Sequence, residues 1–240
     1  MNLKIDSSAD ETVLVTGANR GMGLGYVRHY LREGWSVIAA VREPAKAQEL
    51  AALVEAHPDR LTVLQLDLES DTSIARLGQE LGAGGIRLDL LINNAGVSVA
   101  AAFGKWTAEV FDHNWRVNVV GAALVAQAVA PRLMRGAKLV NISSGMGSMQ
   151  LNIGPDGPLD AYAMTKAAIN SLTRRLAEKL KPAGVGVFAL NPGWVQTTMG
   201  GPDAPTCVED AVGQIARTIH ELGPDKAGGF FSATGEALPW

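Results

Sequence analysis

The chain has 240 residues, 47% hydrophobic and 19% charged, enough to bury one full core and inconsistent with a disordered, collagenous or coiled-coil chain. A formal net charge of −3 at pH 7 gives no basic stripe for DNA or RNA, so nucleic acid is not an expected partner. A single cysteine, Cys207, cannot form an intramolecular disulfide, and Met1–Asp6 lacks the apolar core of a signal peptide, so the expected compartment is the cytoplasm.

Clusters of Val, Ile and Leu predict six short strands, at Thr12–Thr16, Ser36–Val41, Leu61–Leu66, Asp89–Asn93, Lys138–Ser143 and Val185–Leu190, with a weaker seventh at Gly229–Ser232. The intervening segments are long enough to carry crossover helices, and near-continuous apolar strands fit a parallel sheet covered on both faces. The expected fold is α/β: one Rossmann-type, doubly wound parallel sheet of about seven strands, with helices on both faces, as a single domain over residues 1–240. Val119–Ala130, the longest apolar run, contains Gln127 and is too short to span a bilayer, so it reads as a buried helix and no membrane is expected. Asn152–Asp160 and Gly200–Pro205, rich in Gly and Pro, are loops at the C-terminal side of strands, where an open α/β sheet binds ligands.

The first predicted strand runs into Thr16-Gly17-Ala18-Asn19-Arg20-Gly21-Met22-Gly23-Leu24-Gly25, followed by an amphipathic helix over Gly21–Arg32. Gly17 allows a tight turn. Gly21 and Gly23, with Asn19, Arg20 and Met22 around them, let main-chain amides and the helix N-terminus meet a diphosphate. An NAD site of this type carries an acid near the tip of the second strand; here that tip reads Ala39-Ala40-Val41-Arg42. Arg42 and Arg20 suit a ribose 2′-phosphate, so NADP(H) is preferred over NAD(H), with Glu43 left as an acceptor for a free hydroxyl. Asp67, followed by Leu68, reads either as an acceptor for the adenine amino group or as the N-cap of a helix beginning near Thr72.

Farther along come Asn93-Asn94-Ala95-Gly96, Asn118, Ser143-Ser144, Tyr162-Ala163-Met164-Thr165-Lys166 and Asn191-Pro192-Gly193. With the glycine turn, these motifs occur in the order and at close to the spacings of the short-chain dehydrogenase/reductase family, which the chain resembles over nearly its whole length. Pro192-Gly193-Trp194-Val195, Thr197, Met199-Gly200-Gly201 and the segment Gly235–Trp240 look most like the carbonyl-reductase-like members related to bacterial C-factor. The resemblance implies an oxidoreductase moving a hydride between nicotinamide and a ketone, aldehyde or secondary alcohol. It implies that Lys166 also hydrogen-bonds the nicotinamide ribose and that Asn118 holds a proton-relay water; residue types alone leave Asn118 equally a buried amide satisfied by backbone. It also implies that Pro192, Gly193, Val195 and Thr197 cradle the nicotinamide end, and that Asn94, Ala95 and Gly96 pass the adenosine ribose. Family members assemble as dimers or tetramers, so a homodimer or homotetramer is expected unless an insertion before the tyrosine keeps the chain a monomer.

The chemistry follows from the side chains. Tyr162 and Lys166, four apart on a helix, share one face, and an ammonium beside a phenol favours its phenolate. Tyr162 is thus the expected proton donor in reduction and acceptor in oxidation. Ser144, just past the fifth strand, is the expected holder of the substrate oxygen. It precedes Tyr162 by 18 residues, about five more than is usual in the family, so Ser148 competes for that role. Val97, Met146, Met149, Leu151, Trp194 and Met199 are expected to line an apolar substrate cavity. No Cys or His cluster has metal-ligand spacing. A catalytically silent dinucleotide-binding regulator or scaffold is the competing reading.

The 27 glycines exceed by roughly ten what ordinary usage of about 7% would supply. Ten of them, Gly17, Gly21, Gly23, Gly25, Gly96, Gly145, Gly147, Gly193, Gly200 and Gly201, fall in or beside these loops. The excess reads as backbone made to lie against a dinucleotide and its substrate.

Overall fold

The computed structural model describes residues 11–240; Met1–Asp6, read above for a signal core, lies outside the described residues. Seven strands form one parallel sheet in the order β3-β2-β1-β4-β5-β6-β7, as expected. They are β1 (Thr12–Thr16), β2 (Ser36–Val41), β3 (Leu61–Gln65), β4 (Leu88–Asn93), β5 (Leu133–Ile142), β6 (Gly186–Asn191) and β7 (Phe230–Ser232). Seven α-helices accompany them: α1 (Gly21–Arg32), α2 (Gln48–Ala56), α3 (Asp71–Ala83), α4 (Ala108–Trp115), α5 (Ala122–Val129), α6 (Asp160–Leu180) and α7 (Val208–Glu221). The strand order reverses between β1 and β4, the switch point of a doubly wound sheet, and opens a crevice at their C-terminal ends.

Alternation along each strand feeds two cores. Val13, Val15, Val37, Ala39, Leu90 and Ile92 pack toward α1 and α7, while Leu14, Ile38, Ala40, Leu88, Leu91 and Leu139 pack toward α3 and α5. Both faces are buried, which is why these strands read as apolar runs rather than as alternating ones. Helix α7 is held at its C-terminus by Lys138, whose Nζ donates to the carbonyls of Ile219 and His220, complementing the negative end of the helix.

Several boundaries differ from the sequence reading. β5 begins at Leu133, five residues early, because Leu133 pairs with Leu88 before a register irregularity; Arg135-Gly136 hid that half of the strand. It ends at Ile142, which leaves Ser143 in the loop, and Asp160 opens α6 instead of closing a loop. The apolar run after Trp115 is a π-helical turn, Arg116–Gly121, joined to α5. Asp67 is not the cap of α3: Ser70 is, its hydroxyl accepting from Ser73 N, while Asp67 Oδ1 accepts from Glu69 N. Among the described residues no helix is long and apolar enough to cross a membrane.

Leu91 is fully buried in β4, with Leu14 and Leu139 at its register positions on either side. Leu91→Ala is expected to lower unfolding free energy by about 2–5 kcal/mol, read as a shifted denaturant midpoint at unchanged m-value.

Candidate active site

Thr16 closes β1 and joins it to β4. Its Oγ1 accepts from Asn94 N and Ala95 N, both at 3.1 Å, and donates to Ile92 O at 3.5 Å, while Asn94 Nδ2 donates to Thr16 O at 2.9 Å. The turn after β1 and the Asn94–Gly96 loop are therefore one hydrogen-bonded unit. α1 starts directly from that turn. Its N-cap position, Arg20, makes no side-chain capping bond, and no acid lies in its first turn, whereas α3, α4 and α7 are each capped by a side chain. Uncapped amides at the positive end of a helix are the donor set an anion needs, so the chain fits the diphosphate of a dinucleotide. The space over Gly193 and Gly201, where a Cβ would meet nothing within 4 Å, fits it as well.

The glycines themselves work differently from the expectation. Of the ten picked out, Gly17, Gly23, Gly25, Gly145, Gly147 and Gly200 would carry a Cβ within 3 Å of other protein atoms. At Gly23 that atom is the Gly17 carbonyl oxygen, 2.1 Å away. Most of the excess lets the chain lie against itself to build the cradle, rather than against a ligand. Gly21 approaches the methyl of Thr197, which brings the β1 turn and the loop after β6 together across the crevice.

That loop is internally braced: Trp194 Nε1 donates to Gly200 O, Gly200 N to Thr197 Oγ1, and Gly193 N to Asn191 Oδ1. Val195 is buried and bridges to Thr206; Pro192 is half-buried. At the tip of β2, Arg42 is exposed and its guanidinium lies 3.8 Å from Glu69, whose other carboxylate oxygen accepts from His113 Nδ1 at 3.1 Å. Arg20 and Asn19 are exposed on the turn, and Met22 is half-buried. Leu68 is buried, with its Cβ against Gly121.

At the other end of the crevice the structure brings Ser144, Tyr162 and Lys166 together. Ser144 stands close enough to the Tyr162 phenol to lower its pKa, and Lys166 Nζ lies 5.3 Å from the Tyr162 ring centroid. Burial raises the Tyr162 pKa above its ordinary value, while Ser144 pulls it back. Lys166 is 5% exposed; its Nζ donates to Ile142 O at 2.8 Å, and burial lowers its pKa to about 8. Ser148 is not at this centre: it is buried, and its hydroxyl accepts from Leu151 N. Asn118 lies in the π-helical turn with its amide already occupied. Its Oδ1 accepts from Val97 N, and its Nδ2 donates to Val97 O and Thr165 Oγ1. The side chain thus braces the Asn94–Val97 loop against α6.

Met149, Leu151, Trp194 and Met199 are exposed, Met149 to 77%, and Val97 and Met146 are half-buried. Exposed Ile153, on the loop before α6, and Met164, in the first turns of α6, add to these apolar residues; the sequence reading passed over both. It also passed over Thr16, Thr165 and Asn170 as site residues, although Thr165 and Asn170 sit at helical spacings from Tyr162 and Lys166 that place them on the same side of α6.

A family profile described as short chain dehydrogenase matches residues 11–207. The chain belongs to the short-chain dehydrogenases. This dehydrogenase is 40% identical over 156 residues to C-signal of Myxococcus xanthus, which spans 64% of this chain and 93% of that one. It superposes on the NADPH-bound carbonyl reductase from chicken fatty liver with a TM-score of 0.90 at 34% identity, over 96% of this chain and 99% of the other. On the carbonyl reductase Sniffer of D. melanogaster the TM-score is 0.89 at 32% identity, with the same coverage. The carbonyl-reductase-like resemblance expected from the loop after β6 therefore holds.

Lys166 carries the pH signature of the dehydrogenase fold. A lysine whose folded pKa is depressed below its unfolded value of about 10.4 costs stability below that pKa, and the cost vanishes as both states become neutral. With the folded value at about 8, the stability of the nucleotide-free protein relative to Lys166→Met should rise by about 3 kcal/mol between pH 8 and pH 10.5. Below pH 8 the difference should stay flat. Urea unfolding of both proteins across this range checks the sign.

Proposed function

We propose that this dehydrogenase is an NADP(H)-dependent oxidoreductase acting on a ketone, aldehyde or secondary alcohol with apolar substituents, with Tyr162 as the proton donor in reduction and the acceptor in oxidation. The observation that carries the reading is the Lys166 amine 5.3 Å from the Tyr162 ring centroid, with Ser144 close enough to the phenol to lower its pKa. Two hydroxyls at one point can hold a carbonyl oxygen, and one of them can pass it a proton. The nicotinamide supplies the hydride when bound.

Each remaining residue has a separate task. Ser144 orients and polarises the substrate oxygen. Lys166, protonated below about pH 8, favours the phenolate form of Tyr162 and so eases proton departure. Asn118 holds the Asn94–Val97 loop against α6 and supports the proton relay. The α1 amides, with Gly17, Gly21 and Gly23, take the diphosphate; Asn94, Ala95, Gly96, Asp67 and Leu68 flank the adenosine; Pro192, Gly193, Val195 and Thr197 flank the nicotinamide end. Met149, Leu151, Trp194 and Met199 supply apolar surface for the substrate.

The NADP preference is supported by Arg42 and Arg20 on two adjoining loops, by the missing carboxylate at the tip of β2, and by the NADPH of the chicken carbonyl reductase. The Arg42–Glu69 pair does not oppose it. Exposed pairs of this kind are worth about 0–1 kcal/mol, so the guanidinium is free to exchange a carboxylate for a phosphate. Arg42→Ala should weaken NADPH binding by about 10-fold to 100-fold, the worth of a charged hydrogen bond, and leave NADH binding unchanged. Fluorescence titration with both nucleotides tests this; an unmoved NADPH affinity rejects the assignment.

Tyr162→Phe should cut carbonyl reduction by about 10²-fold to 10⁴-fold while NADPH still binds, measured as NADPH oxidation over a panel of ketones and aldehydes. Full activity in that variant would falsify the mechanism. Tight NADPH binding by the parent without turnover of any panel member would favour the silent binding protein instead.

A further inference from the structure

Ser144 is useful only if its hydroxyl is aimed at Tyr162, yet it stands in a short 3₁₀ turn, Gly145–Gly147 being the turn itself. Ser144 Oγ accepts from Met146 N within that turn and stands close enough to Tyr162 to lower its pKa. What ties the turn to α6 is a second side chain. Asn170, four residues beyond Lys166 and eight beyond Tyr162, shares their helix side and is 3% exposed. Ser143 Oγ donates to Asn170 Oδ1 at 2.7 Å, and Asn170 Nδ2 donates to Gly147 O at 3.1 Å.

These partners bracket Ser144, one residue before it and three after. Gly147 lies so close to α6 that a Cβ there would stand 2.7 Å from the Lys166 carbonyl carbon, and Gly147 N closes the turn on Ser144 O at 2.9 Å. Acceptor and donor of the one amide are both used, in opposite senses, on the two flanks of the serine. An aspartate of the same shape would keep the acceptor for Ser143 and present a second acceptor to the Gly147 carbonyl, where the bond requires a donor.

We infer that Asn170 is a positioning residue that aims the Ser144 hydroxyl at Tyr162 by clamping both flanks of its turn to α6. The inference rests on the role proposed for Ser144 and extends it to a residue that touches neither substrate nor cofactor. It predicts that Asn170 acts through Ser144, so that its removal matters only while Ser144 is present.

A double-mutant cycle with Asn170→Asp and Ser144→Ala tests this with two readouts. The first needs neither substrate nor nucleotide. The chain has three tyrosines; burial holds Tyr26 and Tyr30 far above the ordinary range, so absorbance at 295 nm on raising the pH follows Tyr162 first, with Tyr162→Phe as the blank. Losing the Ser144 hydroxyl beside the phenol removes what pulls the Tyr162 midpoint down. Asn170→Asp and Ser144→Ala should each raise the midpoint, and the double variant should raise it no further than Ser144→Ala alone. The second readout is kcat for NADPH oxidation with 4-nitrobenzaldehyde. Asn170→Asp should lower kcat by about 10-fold to 100-fold in the parent and by less than about threefold in the Ser144→Ala background, an interaction of the size seen between groups in contact, with NADPH affinity unchanged in both. Ser143→Ala, which releases the same clamp from its other end without adding charge, should reproduce the pattern and replaces Asn170→Asp if that protein does not fold.

Additive effects in the two backgrounds would overturn the inference, as would a Tyr162 midpoint indifferent to Asn170. A Ser144→Ala protein with full kcat would sink the proposed role of Ser144 instead; the titration, independent of turnover, then still reports whether Asn170 aims the hydroxyl.

Discussion

Lys166 keeps an amine 5% exposed against the carbonyl of Ile142 at the end of β5, and much of the site is arranged around holding it there. An ammonium away from water is unfavourable unless it is hydrogen-bonded or finds an anion. Ile142 O supplies one acceptor and the face of Tyr162 supplies a weak second contact. The depressed pKa is the measure of what remains uncompensated. A phenolate at Tyr162 would relieve that deficit, so burial of the lysine and ionisation of the tyrosine favour each other, although burial alone disfavours each charge.

The surroundings of this pair are polar to an unusual depth. Asn93 Nδ2 donates to Asn141 Oδ1, Asn141 Nδ2 to Thr173 Oγ1, and Ser143 to Asn170, a run of buried side-chain bonds from β4 across β5 to α6. Such networks are specific because each unmatched member is costly; among the atoms of this run, Asn93 Oδ1 is the buried one left without a hydrogen-bond partner among the described residues. Together with the close contacts at Gly23 and Gly147, they give the loops at the C-terminal edge of the sheet few alternative positions. That is what a reaction geometry accurate to fractions of an ångström demands of its scaffold.

How much of this was legible in the sequence depended on whether a feature was local. The apolar strands, the glycine turn with α1 over Gly21–Arg32, and the shared face of Tyr162 and Lys166 follow from periodicity and spacing, so they could be read directly. The choice between Ser144 and Ser148 could not, because it turns on where an irregular loop folds back; only the position of Gly147 against α6 separates the half-buried hydroxyl from the buried one. The partnership of Asn118 with Val97 could not be read either, because it joins the π-helical turn to a loop 21 residues earlier. The first half of β5 was hidden because Arg135-Gly136 resembles a turn, and its pairing depends on a partner 45 residues earlier, Leu88 for Leu133. Asp67 had the chemistry of a cap, but Ser70 stood at the right distance from the first turn of α3.

The bare N-terminus of α1 has a thermodynamic corollary. α3, α4 and α7 carry side-chain caps of their own, so that part of their stability is fixed when the chain folds. α1 leaves that contribution to whatever anion settles on its first turn. A ligand that binds only the folded chain adds RT ln(1 + [L]/Kd), about 2.7 kcal/mol at a hundredfold excess over Kd. With the dinucleotide proposed for that turn, the folding equilibrium of this chain would depend on the concentration of free nucleotide around it, so part of its stability would be set by the metabolite pool rather than by the polypeptide.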